Sequence, residues 1–408
     1  MKRLFLFCML LMGLLSLFAI DFVPNELIIK TKKKEKLYNN QFASKRLNQL
    51  LQDKNVKSVH SVSQKSEDQY FVVRFNENSN LDQFKSDIVR NNGIAFVQYN
   101  YINELYLTPN DPYYGSQSIA AGMMKLPQAW VHNTGSAQII VGIIDSGLNF
   151  SHPDLQNNIY VNSGEIPDNG IDDDQNGYVD DIQGWDFVDA PNMSGMGDYT
   201  GRDNNADDEN YHGTHVAGII GADTNNDTGI AGTAWNVSIL PVRAGFRTSD
   251  GQGYLEDDDA AAAIIYAADM GCHVLNLSWG DRNFSPIIED ACNYAISRGT
   301  VIVASAGNTP EPIVSYPARL NNVIAVGAVN PSEQLASFSS YGPDLDIVAP
   351  GQEIISTYSD ENLYNSLSGT SMAAPFVTGA VALLLSQNSG LNYQQVRARL
   401  HASAKDLG

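Results

Sequence analysis

The sequence predicts an α/β protein, a parallel sheet with helices on both faces, preceded by a smaller α+β unit. Two observations carry the larger part. From residue 139 onward, short runs rich in β-branched residues alternate with stretches of helical composition, the order that builds strand–helix–strand layers. Those runs are apolar throughout rather than at every second residue, as strands covered on both faces must be. The third observation concerns residues 22–107, which read strand, helix, strand, strand, helix, strand.

Taken in order, residues 1–19 have the pattern of a secretory signal. Lys2 and Arg3 form a charged start, residues 4–18 an apolar core, and Ala19 a small residue before the cut. The apolar stretch is short for a membrane span, and Asp21 follows without stop-transfer charges. The alternative is an uncleaved anchor. Residues 26–31 read as a strand and 38–52 as an amphipathic helix, with Leu37, Phe42, Leu47, Leu50 and Leu51 for one face. Residues 56–62 and 70–75 are strands, 81–89 a second helix and 95–101 a last strand. This order suits a ferredoxin-like module. Thr108-Pro109-Asn110-Asp111-Pro112 then breaks the pattern as a linker. The division expected is 1–19, 20–109 and 110–408.

Beyond the linker, residues 139–144, 238–242, 274–277, 300–304 and 323–326 read as buried strands, with helices at 260–268 and 285–297. In such sheets, sites gather beyond the carboxyl ends of the strands. Asp145 ends one strand, and Asn308 follows the one ending near Ala304. Between them lies an acidic stretch, 165–209, with 14 acids and one base, Arg202; it is too polar for a core.

The chain has 46 acidic and 25 basic side chains, a formal net charge of −21. Residues 20–109 hold 13 basic and 10 acidic side chains, and residues 110–408 hold 10 basic and 36 acidic. A strongly negative second part argues against nucleic-acid binding and for calcium, solubility or both. Of three cysteines, Cys8 lies in the leader. Cys272 and Cys292 either pair in an oxidising compartment or are two separate buried thiols.

Four segments carry chemistry. Val141-Gly142-Ile143-Ile144-Asp145-Ser146-Gly147 is a strand ending in a carboxylate. His212-Gly213-Thr214-His215-Val216-Ala217-Gly218 opens an apolar helix with a histidine. Ala304-Ser305-Ala306-Gly307-Asn308 is a strand end. Ser368-Gly369-Thr370-Ser371-Met372-Ala373-Ala374-Pro375 leads into a long apolar run. Alone, a serine there is most simply a helix N-cap, with Pro375 in a first turn that tolerates proline. Together, in the order Asp, His, Ser, the four segments resemble the subtilisin family of serine endopeptidases, its thermitase-like branch above all, over nearly all of residues 108–408. An α/β-hydrolase is excluded, because Gly369-Thr370-Ser371-Met372-Ala373 lacks the second glycine of the nucleophile elbow and the triad order differs.

The resemblance implies roles. Ser371 is expected to be the nucleophile, with His212 taking its proton and Asp145 holding the imidazole's tautomer. Asn308 and the Ser371 backbone N–H are expected to donate to the oxyanion. His215, three residues on, makes a metal pair with His212 conceivable, but no HExxH glutamate is present, and it is read as structural. The competing reading from another class is a catalytically silent, calcium-binding secreted protein on the same scaffold.

The family also implies a groove in which the substrate backbone pairs as a strand between Ser278-Trp279-Gly280 and Gly251-Gln252-Gly253. Ala304, Ser305, Ala306 and Gly307, with Ser315-Tyr316-Pro317, would wall the P1 pocket. Small walls imply a roomy, mostly apolar pocket, and Ser315 stands where relatives often have glycine. The acids 256–259 either favour a basic residue at a more distant subsite or are helix-start charges. A calcium site is implied at Asp111, Asp154, the Asn226 side chain and the carbonyls of Asp223, Thr228 and Ile230. A second is suggested by spacing: Asp172, Asp174, Asn176 and the Tyr178 carbonyl fall at positions 1, 3, 5 and 7 of an EF-hand-like loop with Gly177 at 6. Position 12 is Gln183, and Asp180 or Asp181 would substitute; the alternative is a solvated acidic turn. No organic cofactor is implied.

Residues 20–109 resemble the family's inhibitory propeptides, which implies a monomeric, self-processing zymogen acting on polypeptides, cut between about Tyr106 and Asn110 with Leu107 as P1. It implies secretion without stable membrane insertion, and the family's further strands would follow the helix at 393–402. On that pattern 110–408 is incomplete at its C-terminal end, where a region for envelope attachment is conceivable.

Overall fold

The computed structural model describes residues 22–407 except 40, 53, 64–66, 78, 91, 92 and 104; the leader read at 1–19 lies outside them. Two compact units are present, divided between Leu105 and Tyr106.

In the first unit, four antiparallel strands run in the spatial order Val56–Ser61, Asp68–Phe75, Phe22–Glu35, Ile94–Tyr101. Alternate residues of the strands, Leu27, Ile29, Val59, Phe71, Val73 and Phe75 among them, face one core with Phe84 and Ile88 of the Leu81–Val89 helix. That helix starts at Asn80, whose side chain accepts from Gln83 N at 3.0 Å. The helix expected over 38–52 is shorter. Only Lys45–Gln52 is helical, and Leu37–Tyr38 pairs with Gln41–Phe42 as a hairpin. Asn39 adopts a left-handed φ of 46°, which asparagine tolerates and a helix interior forbids. Asn48 then locks the hairpin, accepting from Phe42 N at 2.8 Å and donating to Phe42 O at 2.6 Å.

The second unit is built on a parallel sheet in the order Ile347–Pro350, Ile324–Val329, Val301–Ser305, Val274–Leu277, Gly135–Asp145, Asn236–Arg243, Trp185–Asp186. The first and last of these were not read from the sequence; nor were two helices before the sheet, Tyr114–Met123 and Leu126–His132. The period of two sorts the strands into two cores. Val141, Ile143, Val301, Val303, Ile324 and Val326 face one side, against the helices His212–Gly221 and Thr370–Gln387. Ile144, Ile302, Ala304, Leu275, Leu277 and Ala325 face the other, against Asp257–Asp269 and Pro286–Ser297. Cys272 and Cys292 are both buried and free. The Thr370–Gln387 helix is apolar nearly all round because it is enclosed, 13 of its 18 residues being buried.

Strand order changes direction at Gly135–Asp145: the next two strands of the sheet in sequence, Trp185–Asp186 and Asn236–Arg243, lie on one side, with Asn236–Arg243 adjacent, and Val274–Leu277 and its successors lie on the other. The crevice at the carboxyl end of such a switch strand is where ligands of open parallel sheets bind. Asp145 is its last residue.

Candidate active site

Asp145 is buried at the end of its strand and accepts from Ser146 N at 2.8 Å through Oδ1. The same oxygen lies 2.8 Å from His212 Nδ1. His212 is the first residue of its helix and 29% exposed, so its ring reaches the surface while its Nδ1 is held inside. Burial, the largest influence, works against an imidazolium here. The Asp145 carboxylate and, further off, Asp208 outweigh it and raise the pKa above the ordinary 6.5.

The helix start itself is held by Asp208, which motif reading missed. Its carboxylate accepts from Tyr211 N at 2.7 Å, Thr214 N at 2.8 Å, Thr214 Oγ1 at 2.5 Å and Ser146 Oγ at 2.8 Å. Ser146 Oγ in turn accepts from Gly213 N at 3.0 Å. A carboxylate at a helix N-terminus satisfies donors that have no partner inside the helix. The acid four residues before the histidine is the sequence signal that marks it. His215 is fully buried and donates from Nε2 to the carbonyls of Ile354 and Asn365, each at 3.1 Å. Burial and then the neighbouring His212 push its pKa down to about 3. A neutral ring engaged by two carbonyls is not placed as a metal ligand.

Ser371 is not the N-cap. That position is Gly369, and Ser371 lies inside the first turn, so Pro375 falls in the second turn rather than the first. The Ser371 hydroxyl donates to Ser278 O at 2.9 Å; among the described residues no hydrogen bond joins it to His212. Such bonds are often formed only once substrate is in place. Asn308 Oδ1 accepts from Thr370 N at 2.8 Å and Thr370 Oγ1 at 3.0 Å. With its oxygen engaged on the residue before Ser371, the amide presents its NH₂ as donor. Gly307 turns the chain there with φ +107°, where a side chain would be strained, and a Cβ would sit 2.5 Å from Ser315 Oγ.

Of the expected P1 walls, Ala304, Ser305 and Ala306 are buried, and Ser315 N donates to Ala306 O at 2.9 Å. On the groove side, Gly253–Leu255 is the edge strand of a small antiparallel sheet, and Gly251 turns into it with φ +86°. Its outer edge pairs with no strand among the described residues, and Gly280 is exposed. A free edge of this kind accepts an added strand. Between the two segments lies a cavity of about 480 Å³, with Leu255, Trp279, Phe284, Ile288 and Leu320 in its lining and Glu256, Asp257 and Asp281 among its acids. Asp257, Asp258 and Asp259 occupy the first turn of their helix. Asp259 is buried and paired with Arg202 at 2.7 Å.

The two expected calcium loops are both dense in oxygen. Asp111 accepts from Asn225 N at 2.9 Å and Asn226 N at 3.3 Å; Asp154 accepts from Asn226 Nδ2 at 3.0 Å and Ile230 N at 2.9 Å. Thr228 N donates to Asn226 Oδ1 at 2.8 Å. Asp223 points elsewhere, accepting from Asn157 N and Nδ2. Asp111, Asp154 and Asp223 are all buried, and none is in an ion pair among the described residues. Burial, with Asp111 and Asp223 adding to it, pushes Asp154 up to about 7.

In the second loop, Asp172 and Asp174 come within 4.8 Å of a residue not foreseen, Glu165. Asn176 N donates to both aspartates, and Asn176 Oδ1 accepts from Tyr178 N at 2.8 Å. Asp180 turns away to accept from Asn169 N and Gly170 N, and Asp181 accepts from Tyr266, Asn162 and Asn176. Neither lies in the close group, which Glu165, from upstream, forms with Asp172 and Asp174. Another acidic group is Asp186, Asp198 and Asp203, of which Asp186 lies 2.5 Å from Nη1 of the fully buried Arg243.

A carboxylate–histidine pair at the switch point of a parallel sheet, with a serine in the first turn of a buried helix beside an oriented amide, defines the class of hydrolase that works through an activated serine. Residues 136–408 match the model of the subtilase family. A thermophilic serine proteinase of Bacillus sp. (strain AK1) is 41% identical over 314 residues, 77% of this chain and 68% of that protein. Thermitase of Thermoactinomyces vulgaris is 39% identical over 300 residues, 74% and 92% of the two chains. A solved protease structure from Pseudoalteromonas arctica PAMC 21717 superposes with a TM-score of 0.61 at 29% identity, covering 74% of this chain and 93% of that one. The chain belongs to the subtilase family and is a serine endopeptidase acting on polypeptides.

Proposed function

We propose that the protein is a secreted endopeptidase, made as a self-processing zymogen and stabilised by calcium, in which Ser371 forms the acyl-enzyme. The observation that carries the assignment is the 2.8 Å contact of His212 Nδ1 with Asp145 Oδ1, in one unit with a serine whose neighbour Thr370 holds Asn308 by its oxygen. With Nδ1 committed to the aspartate, Nε2 is the nitrogen free to take the Ser371 proton and return it to the leaving amine. Asn308 Nδ2 and the Ser371 N–H would hold the oxyanion. Substrate backbone would lie along the edge of Gly253–Leu255 and along Ser278–Gly280, with its P1 side chain against Ala304 to Gly307 and Ser315. The cavity at Leu255 and Trp279 suits a further apolar substrate side chain.

Calcium fits the first loop on grounds of charge. Buried carboxylates without a basic partner are costly, and Asp111, Asp154, Asn226 Oδ1 and the carbonyls of Asp223, Thr228 and Ile230 are the hard oxygens that a calcium ion takes. Glu165, Asp172, Asp174, Asn176 and the Tyr178 carbonyl are the corresponding set in the second. When bound, the ion supplies no chemistry to the reaction and ties segments together.

The zymogen reading rests on the compact first unit and on the segment after it. Residues 105–111 have no regular secondary structure, and Leu105 and Tyr106 are 80% and 68% exposed. Exposed segments outside helices and strands are where cleavage concentrates. Asn110 and Asp111 are tied to the 225–227 loop, which supports a cut before them. The basic leader and the acidic second unit accord with secretion.

The test uses the expressed full chain. Wild type is expected to shorten to a species starting between residues 107 and 110 and to take one sulfonyl fluoride on Ser371, whereas Ser371→Ala stays full-length and His212→Ala is not labelled. Labelling that survives His212→Ala, or a Ser371→Ala chain that shortens by itself, overturns the assignment.

A further inference from the structure

Pro375 lies in the second turn of the Thr370–Gln387 helix and has no N–H to give the carbonyl four residues back. That carbonyl is the one of Ser371. A donor from outside the helix takes the missing place: the Ser278 hydroxyl donates to Ser371 O at 2.9 Å. In return the Ser371 hydroxyl donates to Ser278 O at 2.9 Å. Each residue thus holds the other's carbonyl with its own side chain.

Behind Ser278 stands a chain of buried polar groups. Asn276 Nδ2 donates to Ser278 Oγ at 2.8 Å, and Asn276 Oδ1 accepts from Thr378 Oγ1 at 2.8 Å. Thr378 also reaches Ala374 O at 3.1 Å. Asn276 and Thr378 are completely buried and Ser278 is 3% exposed. An amide inside the strand Val274–Leu277, whose other members are apolar, is costly unless its hydrogen bonds are met, and here both ends are met. Each link orients the next. A hydroxyl has one hydrogen, and with the Asn276 amide donating to its oxygen, the Ser278 hydroxyl is directed to Ser371.

From this geometry we infer that Ser278, Asn276 and Thr378 are positioning residues for the nucleophile: they replace the helical hydrogen bond that Pro375 removes and anchor the Ser371 peptide to the sheet. The strand that carries Asn276 pairs directly with the strand that ends in Asp145, so the serine is referenced to the same rigid layer as the aspartate. The inference rests on Ser371 being the nucleophile. Its role differs from the backbone groove contact proposed for Ser278, because it belongs to the side chain.

The experiment compares Ser278→Ala, Ser278→Thr, Thr378→Val, Pro375→Ala and the double variant Ser278→Ala/Pro375→Ala as full chains. It reads the rate at which a sulfonyl fluoride labels Ser371, followed by intact mass, and kcat against KM on a peptide substrate. Displacement of a reacting atom by an ångström costs about 10²-fold, so Ser278→Ala is expected to lower labelling rate and kcat by about 10- to 100-fold with KM within about twofold. Ser278→Thr keeps the hydroxyl and most of the rate. Thr378→Val, nearly isosteric, lowers it by a smaller factor in the same direction. Pro375→Ala restores an N–H to Ser371 O, so the double variant should label no more slowly than about twofold below Pro375→Ala alone. An unchanged labelling rate in Ser278→Ala, a rise in KM at constant kcat, or losses that simply multiply in the double variant would each overturn the inference. Failure of wild-type labelling at Ser371 would instead overturn the nucleophile assignment beneath it.

Discussion

At the scale of single residues, His212 is governed by two opposed influences. Withdrawal from water disfavours its cation, and the carboxylates of Asp145 and Asp208 favour it; the balance lies above the ordinary 6.5. In the proposed mechanism only the neutral ring accepts the serine proton, so kcat/KM is expected to fall as pH drops through the raised value. The acid limb of the pH profile is therefore expected to bend above pH 6.5. Asp145→Asn should move the bend to lower pH and cut kcat by about 10⁴-fold, because the wrong tautomer is then favoured. A profile of kcat/KM against pH for both forms checks this, and a wild-type bend below 6.5 would contradict it. The four motifs name these residues in sequence because each motif is a local pattern around one proposed reacting group. Asp208 was missed because its partners, Ser146 and the first turn of the histidine helix, are assembled only by folding.

At the scale of elements, Arg243 ends the strand that flanks Asp145 and is fully buried against Asp186, with Glu209 at 3.1 Å on its other nitrogen. Breaking one side of a buried pair leaves the other charge in a medium that cannot solvate it, at about 3–5 kcal/mol. Arg243→Met in a Ser371→Ala background, which prevents self-digestion, should lower the urea midpoint by that equivalent, and adding Asp186→Asn should recover part of the loss. An unchanged midpoint would mean that the cluster is better solvated than its burial implies. Elements differ in how plainly they read. The strand Val274–Leu277 and the helix Leu81–Val89 came out of the sequence with the observed bounds, each being continuous and bounded by turn residues. The helix of 38–52 did not, since a helical apolar spacing continued across Asn39, where the chain instead turns into a hairpin that two hydrogen bonds between Asn48 and Phe42 hold. Trp185–Asp186 is too short to show any period.

For the whole molecule, a net charge of −21 is a standing cost that bound cations would offset. Calcium that binds only the folded state adds about 2.7 kcal/mol at a free concentration one hundred times its dissociation constant. Chelation is expected to lower the melting temperature of the Ser371→Ala chain, restored by calcium and not by an equal ionic strength of sodium. Asp154→Asn should remove one of two steps in the calcium dependence and Asp172→Asn the other; melting that ignores chelator altogether would remove calcium from the account. Periodicity and motif order, properties of neighbouring residues, sufficed for the α/β class and the subtilase family. Partners were another matter. Asn276 and Thr378 are 102 residues apart, Arg243 and Asp186 57 apart, and Glu165 reaches Asp172 and Asp174 only by the turn of its loop. No local pattern encodes such a pairing, because a buried polar group is satisfied by whatever the packed sheet brings within about 3 Å of it. The residues proposed to do the chemistry were legible in the chain; those that hold them in place were decided by the tertiary structure.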